Sequence, residues 1–202
     1  METIKAVVFD LYNTLIYNLD TNPYLRLFSE LALSPDDIMQ TRRIALTEDF
    51  EDLHDFVQRI KPGARINLQP YEEEVAQGVK STTTFPETKI VLEELIIRRF
   101  KCGLISNLAS AYKAPFFELG LNAYFDEVFF SCEIGLKKPD PRIYQKMMEK
   151  LHVNPVQAIM IGDKVPADVD GPKAIGMNAV HLDRTNTSLH SISTLEGVFQ
   201  FI

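Results

Sequence analysis

The amino-acid sequence predicts an α/β protein: a three-layer fold whose parallel sheet is interrupted, after its first strand, by a small all-helical insert. Three observations carry this. Short apolar runs alternate with amphipathic helical patterns over residues 3–16 and again over about 83–185, the pattern of a parallel sheet with right-handed crossovers. Residues 18–82 carry helix starts but no strand pattern. Polar residues of one complementary chemistry follow the apolar runs directly, at the strand ends where open parallel sheets bind ligands.

The elements follow in order. Ala6–Phe9 is an apolar run that ends on Asp10, with Thr14 four places later. In the insert, Asn22-Pro23 opens a helix with Leu25, Phe28, Leu31 and Ala32 as its apolar positions. Ser34-Pro35-Asp36-Asp37 is a second start: a capping Ser, Pro in the first turn, then acids. Lys61-Pro62-Gly63 is a break. Pro70-Tyr71-Glu72-Glu73-Glu74 starts a last insert helix, its acids favoured by the positive end of the helix dipole. Beyond the insert, the strands expected are Lys101–Ser106, Glu127–Ser131, Ala158–Ile161 and Ala179–Leu182. The helices expected are Glu87–Arg99, Ala111–Leu119, Pro141–His152 and Ala167–Ile175. Two units result: a core of residues 1–17 plus 83–202, and a helical cap of residues 18–82, hung over the loop after Asp10 as a lid.

Composition narrows the function. A net charge of −7 argues against a nucleic-acid partner, which would need a basic face. It leaves room for an anionic substrate where a local cation outweighs the global field. Cys102 and Cys132 have no metal-ligand spacing; Cys102 lies in an apolar strand and reads as a buried thiol. The stretch before Asp10 is too short for a signal sequence, and no run approaches the ~20 apolar residues of a membrane span. The expectation is a cytoplasmic protein without a membrane partner, its oligomeric state open.

The strand ends supply the chemistry. The first gives Asp10, the second Ser106 and Asn107, and the fourth Asp163 with Asp168 five residues on. The loop after the third gives Lys137 and Lys138. Any one of these is an ordinary turn or cap residue. Together they suit one task. Three carboxylates (Asp10, Asp163 and Asp168) on one point repel and raise one another's pKa. A hard cation such as Mg²⁺ relieves this and leaves positions for phosphate oxygens. Ser106 and Lys138 can hold the remaining oxygens of a transferring phosphoryl group, and Asp10 can be a covalent nucleophile.

In order and spacing, these motifs resemble the haloacid dehalogenase superfamily, mostly phosphohydrolases with a Rossmann-like core. The likeness covers Asp10-x-x-x-Thr14, the small helical cap, Ser106-Asn107, Lys138-Pro139-Asp140-Pro141 and Gly162-Asp163-x-x-x-x-Asp168. It implies that Asp10 attacks phosphorus, with Thr14 in the catalytic loop. Asp163 and the Tyr12 carbonyl would help hold Mg²⁺, with Asp168 beside or behind it. Ser106, Asn107 and Lys138 would bind the phosphoryl group, Lys138 rather than Lys137 because it directly precedes Pro139-Asp140. The implied activity is Mg²⁺-dependent hydrolysis of a small phosphate ester or acyl phosphate through an aspartyl-phosphate.

Tyr12 departs from the phosphatase pattern, which usually carries Asp there as general acid and base. Family 2-haloacid dehalogenases carry Tyr, because a halide leaves without a proton. Tyr144 also matches a dehalogenase position. Those enzymes, however, resemble this chain with Ser at position 163 and Asn at 165, and work without metal; here Asp163 and Val165 stand. They also need an Arg for the substrate carboxylate, for which Arg42 and Arg43 are candidates. Phosphohydrolase is therefore the leading expectation. Dehalogenase and a catalytically weak binding or regulatory protein are the alternatives. The insert residues that could face a substrate are Tyr17, Arg42, Arg43 and Arg65.

Overall fold

The computed structural model describes residues 2–18, 23–185, 187 and 191–202. Its centre is a five-stranded parallel sheet. β1 is Ala6–Phe9; after it β2, Ile16–Tyr17, pairs antiparallel with β3, Thr83–Thr84. β4 (Lys101–Ser106), β5 (Glu127–Phe130), β6 (Ala158–Gly162) and β7 (Asn178–His181) complete the sheet in the order β5-β4-β1-β6-β7. β1 is therefore central and buried on both faces, which explains its unbroken apolar run. Alternate residues face opposite layers. Val7 and Phe9 pack with Val91, Leu92 and Leu95, whereas Ala6 and Val8 pack with Ile143, Met147 and Leu151. The first set comes from α5 (Thr88–Ile97) and the second from α8 (Pro141–Leu151), with the sheet between them.

Between β2 and β3 the described chain is helical: α1 (Pro23–Glu30), α2 (Pro35–Thr47), α3 (Leu53–Ile60) and α4 (Gln69–Lys80). The start expected at Asn22 lies outside the described residues; α1 is described from Pro23. At α2 the expected cap is realised reciprocally: the Ser34 hydroxyl accepts from the Asp37 N–H, and the Asp37 carboxylate accepts from the Ser34 N–H. Leu27, Phe28, Leu31, Ile44, Phe56, Val57 and Tyr71 form a hydrophobic core of the insert's own. Residues 17 and 83, where the sequence divides insert from core, form a pair in the β2–β3 ribbon.

Several expected elements differ in detail. The segment expected as one helix over Ala111–Leu119 is a 3₁₀ turn, Ser110–Lys113, followed by α6, Ala114–Glu118. Pro115 lacks the N–H that would continue the earlier turn. β5 stops at Phe130, and Ser131 instead opens a short helix, α7 (Ser131–Ile134), its hydroxyl accepting from the Leu108 N–H. The helix expected over Ala167–Ile175 divides into a wide π-type turn, Val165–Asp170, and α9, Gly171–Ala174. Pro172 removes one backbone donor there, and the Tyr144 hydroxyl takes the Ala167 carbonyl. β7 begins one residue earlier than expected, leaving Leu182 bridged to Ile192. Among the described residues, no helix is long and apolar enough to cross a membrane, and Cys102 and Cys132 are both buried free thiols.

Candidate active site

Strand register brings the motif residues together. Phe9 is level with Leu104 on one side and Ile161 on the other. Continuing by one residue sets Asp10 beside Ile105 and Gly162, one step short of Ser106 and Asp163. The Asp10 N–H donates to the Ile161 carbonyl, fixing the start of the loop. Asp10, Ser106 and Lys138 are buried, and Asp168 has no exposure.

Lys138 is the centre of the charge network. Its ammonium donates to Asp10 Oδ1 at 2.7 Å and to Asp168 Oδ1 at 2.6 Å. Burial works against its charge, but the two carboxylates outweigh it and hold the ammonium protonated. Both ends of the Asn107 amide grip the Lys138 main chain: Oδ1 accepts its N–H and Nδ2 donates to its carbonyl, each at 2.8 Å. Asn107, expected at the substrate, thus acts on the site by placing Lys138.

Asp168 is held from a second side by the Lys164 N–H, at 2.9 Å. Gly162 makes this approach possible, because a Cβ there would overlap the Asp168 carboxyl. Asp163 is half-buried and pairs with the exposed Lys164 ammonium at 2.8 Å. One oxygen from each of Asp10, Asp163 and Asp168 falls within a 4.8 Å cluster. Burial pushes the Asp10 carboxyl up to about 6; Lys138 opposes the rise, while Asp168 and Asp163 add to it. One buried lysine therefore does not offset burial together with the two neighbouring acids. An all-oxygen donor set with surplus negative charge fits a hard divalent cation.

Thr14 is fully buried, and its Oγ1 has no hydrogen-bond partner among the described residues. Its carbonyl accepts from Arg184 at 2.7 Å. The same guanidinium reaches the Asn13 carbonyl at 3.3 Å and Glu87 at 2.7 Å, and lies 3.3 Å over the Phe85 ring. Sequence reasoning missed Arg184, because a lone Arg beyond the last strand carries no periodic or motif signal.

The Tyr12 hydroxyl donates to the Tyr112 carbonyl at 3.1 Å, and the two rings meet edge to face at 6.1 Å. Burial pushes the Tyr12 phenol well above its ordinary range. Tyr144, the other residue shared with dehalogenases, is fully buried against Gly171, with its hydroxyl on Ala167. Tyr17 stacks on Phe85 in the β2–β3 ribbon. Arg43 and Lys137 line a separate hollow beside Asp140 and Arg142, and Arg65 is exposed. Arg42 lines a cavity of about 390 Å³ that opens between the insert and the core at Tyr12 and Asn107.

A family model described as haloacid dehalogenase-like hydrolase matches residues 4–176. The chain belongs to the haloacid dehalogenase-like hydrolases. Within that family, human haloacid dehalogenase-like hydrolase domain-containing protein 3 is 29% identical over 144 residues, covering 71% of this chain and 53% of its own length. The glyceraldehyde 3-phosphate phosphatase of Methanothermobacter thermautotrophicus is 32% identical over 97 residues, covering 48% and 43%. The chain thus spans about half the length of the curated relatives it matches. Among solved structures, a phosphatase of the family from Thermococcus onnurineus superposes with a TM-score of 0.68 at 26% identity, over 98% of this chain and 97% of that one.

Proposed function

We propose that this hydrolase is a Mg²⁺-dependent phosphohydrolase that cleaves a small phosphate ester or acyl phosphate through an aspartyl-phosphate on Asp10. One observation carries the reading: Asp10 after β1, Asp163 after β6 and Asp168 in the turn that follows each bring one carboxylate oxygen within 4.8 Å of the others, with buried Lys138 between Asp10 and Asp168. Asp10, Asp163 and the Tyr12 carbonyl would hold the ion, with Asp168 beside it. A divalent cation held there would supply positive charge to offset that of the phosphoryl oxygens. The phosphatase names of relatives such as the M. thermautotrophicus enzyme support the same reading.

The chain's own residues do the rest. Lys138 carries the cationic charge that draws a phosphoryl oxygen toward Asp10. Ser106 offers a hydroxyl at the end of the neighbouring strand. Asn107 fixes Lys138, and Arg184 fixes the loop that carries Asp10, so the nucleophile and its cation are preorganised. An Asp10 oxygen bonds to phosphorus as the bond from phosphorus to the organic oxygen breaks, and the organic oxygen leaves with the electron pair. Water then attacks the same phosphorus as the bond from Asp10 to phosphorus breaks, giving hydrogen phosphate, the Asp10 carboxylate and one proton, which offsets the charge of the departed organic oxygen. Residues 18–82 act as the cap over this site.

The test is a screen of phosphate esters and acyl phosphates with and without millimolar Mg²⁺. Turnover that requires Mg²⁺ and Asp10 supports the proposal. Halide release from a 2-haloacid without metal, and no phosphate release, would replace it with the dehalogenase reading.

A further inference from the structure

The cavity between insert and core has a chemistry of its own. Its volume, about 390 Å³, lies in the range of small-molecule pockets, roughly 300–1,000 Å³. Its walls include Tyr12, Tyr24, Tyr112 and Phe28. Tyr112 meets Tyr12 at 90° and Tyr24 at 46°, with centroids 6.1 and 6.3 Å apart, so the three rings pack on one another as a continuous aromatic wall. Tyr24 and Phe28 belong to the insert and the other two to the core. An aromatic guest would find faces and edges from both units. Arg42 is the cation in this lining. It is exposed and has no hydrogen-bond or ion-pair partner among the described residues. Asn107, whose amide holds the Lys138 main chain, is part of the same lining, so the cavity adjoins the charge network.

We propose that this cavity selects the leaving group, and that the preferred substrate is an aryl phosphate bearing a carboxylate, its ring held against the wall of Tyr12, Tyr24 and Tyr112 and its carboxylate on Arg42. The inference rests on the phosphohydrolase reading for the direction in which the phosphate points. Arg42 presents a planar fork that matches a carboxylate, and the aromatic walls suit a planar ring better than a polyol. The bond that breaks is the one from phosphorus to the phenolic oxygen, which leaves as phenolate with the electron pair. Phosphorus passes to Asp10 and then to water.

The experiment compares phenyl phosphate, 3-carboxyphenyl phosphate, glycerol phosphate and acetyl phosphate with Mg²⁺. Binding of the product, 3-hydroxybenzoate, is measured separately by calorimetry. The carboxylated aryl ester is expected to exceed phenyl phosphate in kcat/KM by roughly 10–100-fold, the scale of a charge-assisted hydrogen bond. Arg42→Ala is expected to collapse that ratio and weaken 3-hydroxybenzoate binding to the same degree. Tyr24→Ala is expected to weaken binding of both aryl compounds, and Arg65→Ala to change neither readout. If the phosphates are hydrolysed but 3-carboxyphenyl phosphate shows no advantage over phenyl phosphate, the cavity assignment falls and the phosphohydrolase reading stands, whatever the aryl-to-alkyl ratio. If none is hydrolysed but 3-hydroxybenzoate binds in an Arg42-dependent way, the cavity assignment stands and the phosphohydrolase reading falls. Absence of both the preference and the binding overturns the inference.

Discussion

The ammonium of Lys138 lies between Asp10 and Asp168, 2.7 Å from one carboxylate and 2.6 Å from the other. One buried cation therefore serves two buried anions. Removing one partner of a buried pair typically costs about 3–5 kcal/mol, because a charge is left uncompensated. Lys138→Met is expected to lower stability by at least ~2 kcal/mol in urea unfolding, since Asp10 can relieve part of the cost by taking a proton. Adding Asp10→Asn should recover part of that loss. Strictly additive penalties in the double-mutant cycle would show that the two groups are not coupled.

Asp10→Asn changes one atom of the nucleophile and keeps its shape. Turnover is expected to fall by on the order of 10⁴-fold or more, the scale seen when a nucleophile is removed. The circular dichroism spectrum should match wild type. Activity near the wild-type level would assign the nucleophile elsewhere.

Arg184 ties the loop after β1 to the segment after β3 by holding the Thr14 and Asn13 carbonyls, Glu87 and the Phe85 face. Arg184→Met is expected to cost about 1–3 kcal/mol through lost charge-assisted hydrogen bonds. Arg184→Lys should not restore it, because an ammonium cannot reproduce the planar fork. Equal urea midpoints for Arg184→Lys and wild type would refute this.

Asp140 caps α8 by accepting the Arg142 N–H at 3.0 Å, and it pairs with the Arg142 guanidinium at 2.6 Å. Hydrogen bonds from Arg142 hold the Asp140 carboxyl at about 2, below the ~3.9 of an unfolded chain. A depressed folded-state value contributes stability above the unfolded one and loses it as pH falls through the folded one. Asp140→Ala is therefore expected to cost about 1 kcal/mol at pH 7, an amount limited by solvent screening of this exposed pair. The difference from wild type should shrink between pH 4 and 2. A difference that is constant across that range would exclude the carboxylate's charge as its source.

Much of this geometry was legible because it follows local rules. Four apolar residues before Asp10 imply a buried parallel strand, and parallel register then sets Asp10 one step short of Ser106 and Asp163. The Ser34 cap is a four-residue signal, Ser34 to Asp37, that the backbone obeys. What the sequence concealed depends on distant contacts. Whether the Asn107 amide faces a ligand or the Lys138 main chain is decided by a loop 31 residues away. The π-type turn at Val165–Asp170 follows from Tyr144 and Pro172 acting on one short segment. Tyr12 was legible as a departure from the phosphatase pattern, but not as a hydroxyl turned to the Tyr112 carbonyl.

That last contact shapes the chemistry expected of the site. A phenol whose proton is engaged by Tyr112, and whose pKa burial drives upward, is a poor donor to a leaving alkoxide and a poor base toward water. General acid–base assistance is typically worth ~10²–10⁴-fold. Its loss weighs most on substrates whose leaving group is strongly basic. The wild-type enzyme is therefore expected to hydrolyse alkyl phosphates slowly, and aryl or acyl phosphates faster. With the faster substrates, breakdown of the aspartyl-phosphate becomes limiting, so rapid-quench kinetics should show a burst of released phenol. Tyr12→Asp supplies the missing carboxyl while leaving the position-12 carbonyl in place. It is expected to raise turnover of glycerol phosphate at least ~10-fold more than that of phenyl phosphate, and to diminish the burst. Wild-type turnover of alkyl phosphates as fast as aryl ones, with no gain from Tyr12→Asp, would mean that the acid comes from the helical insert.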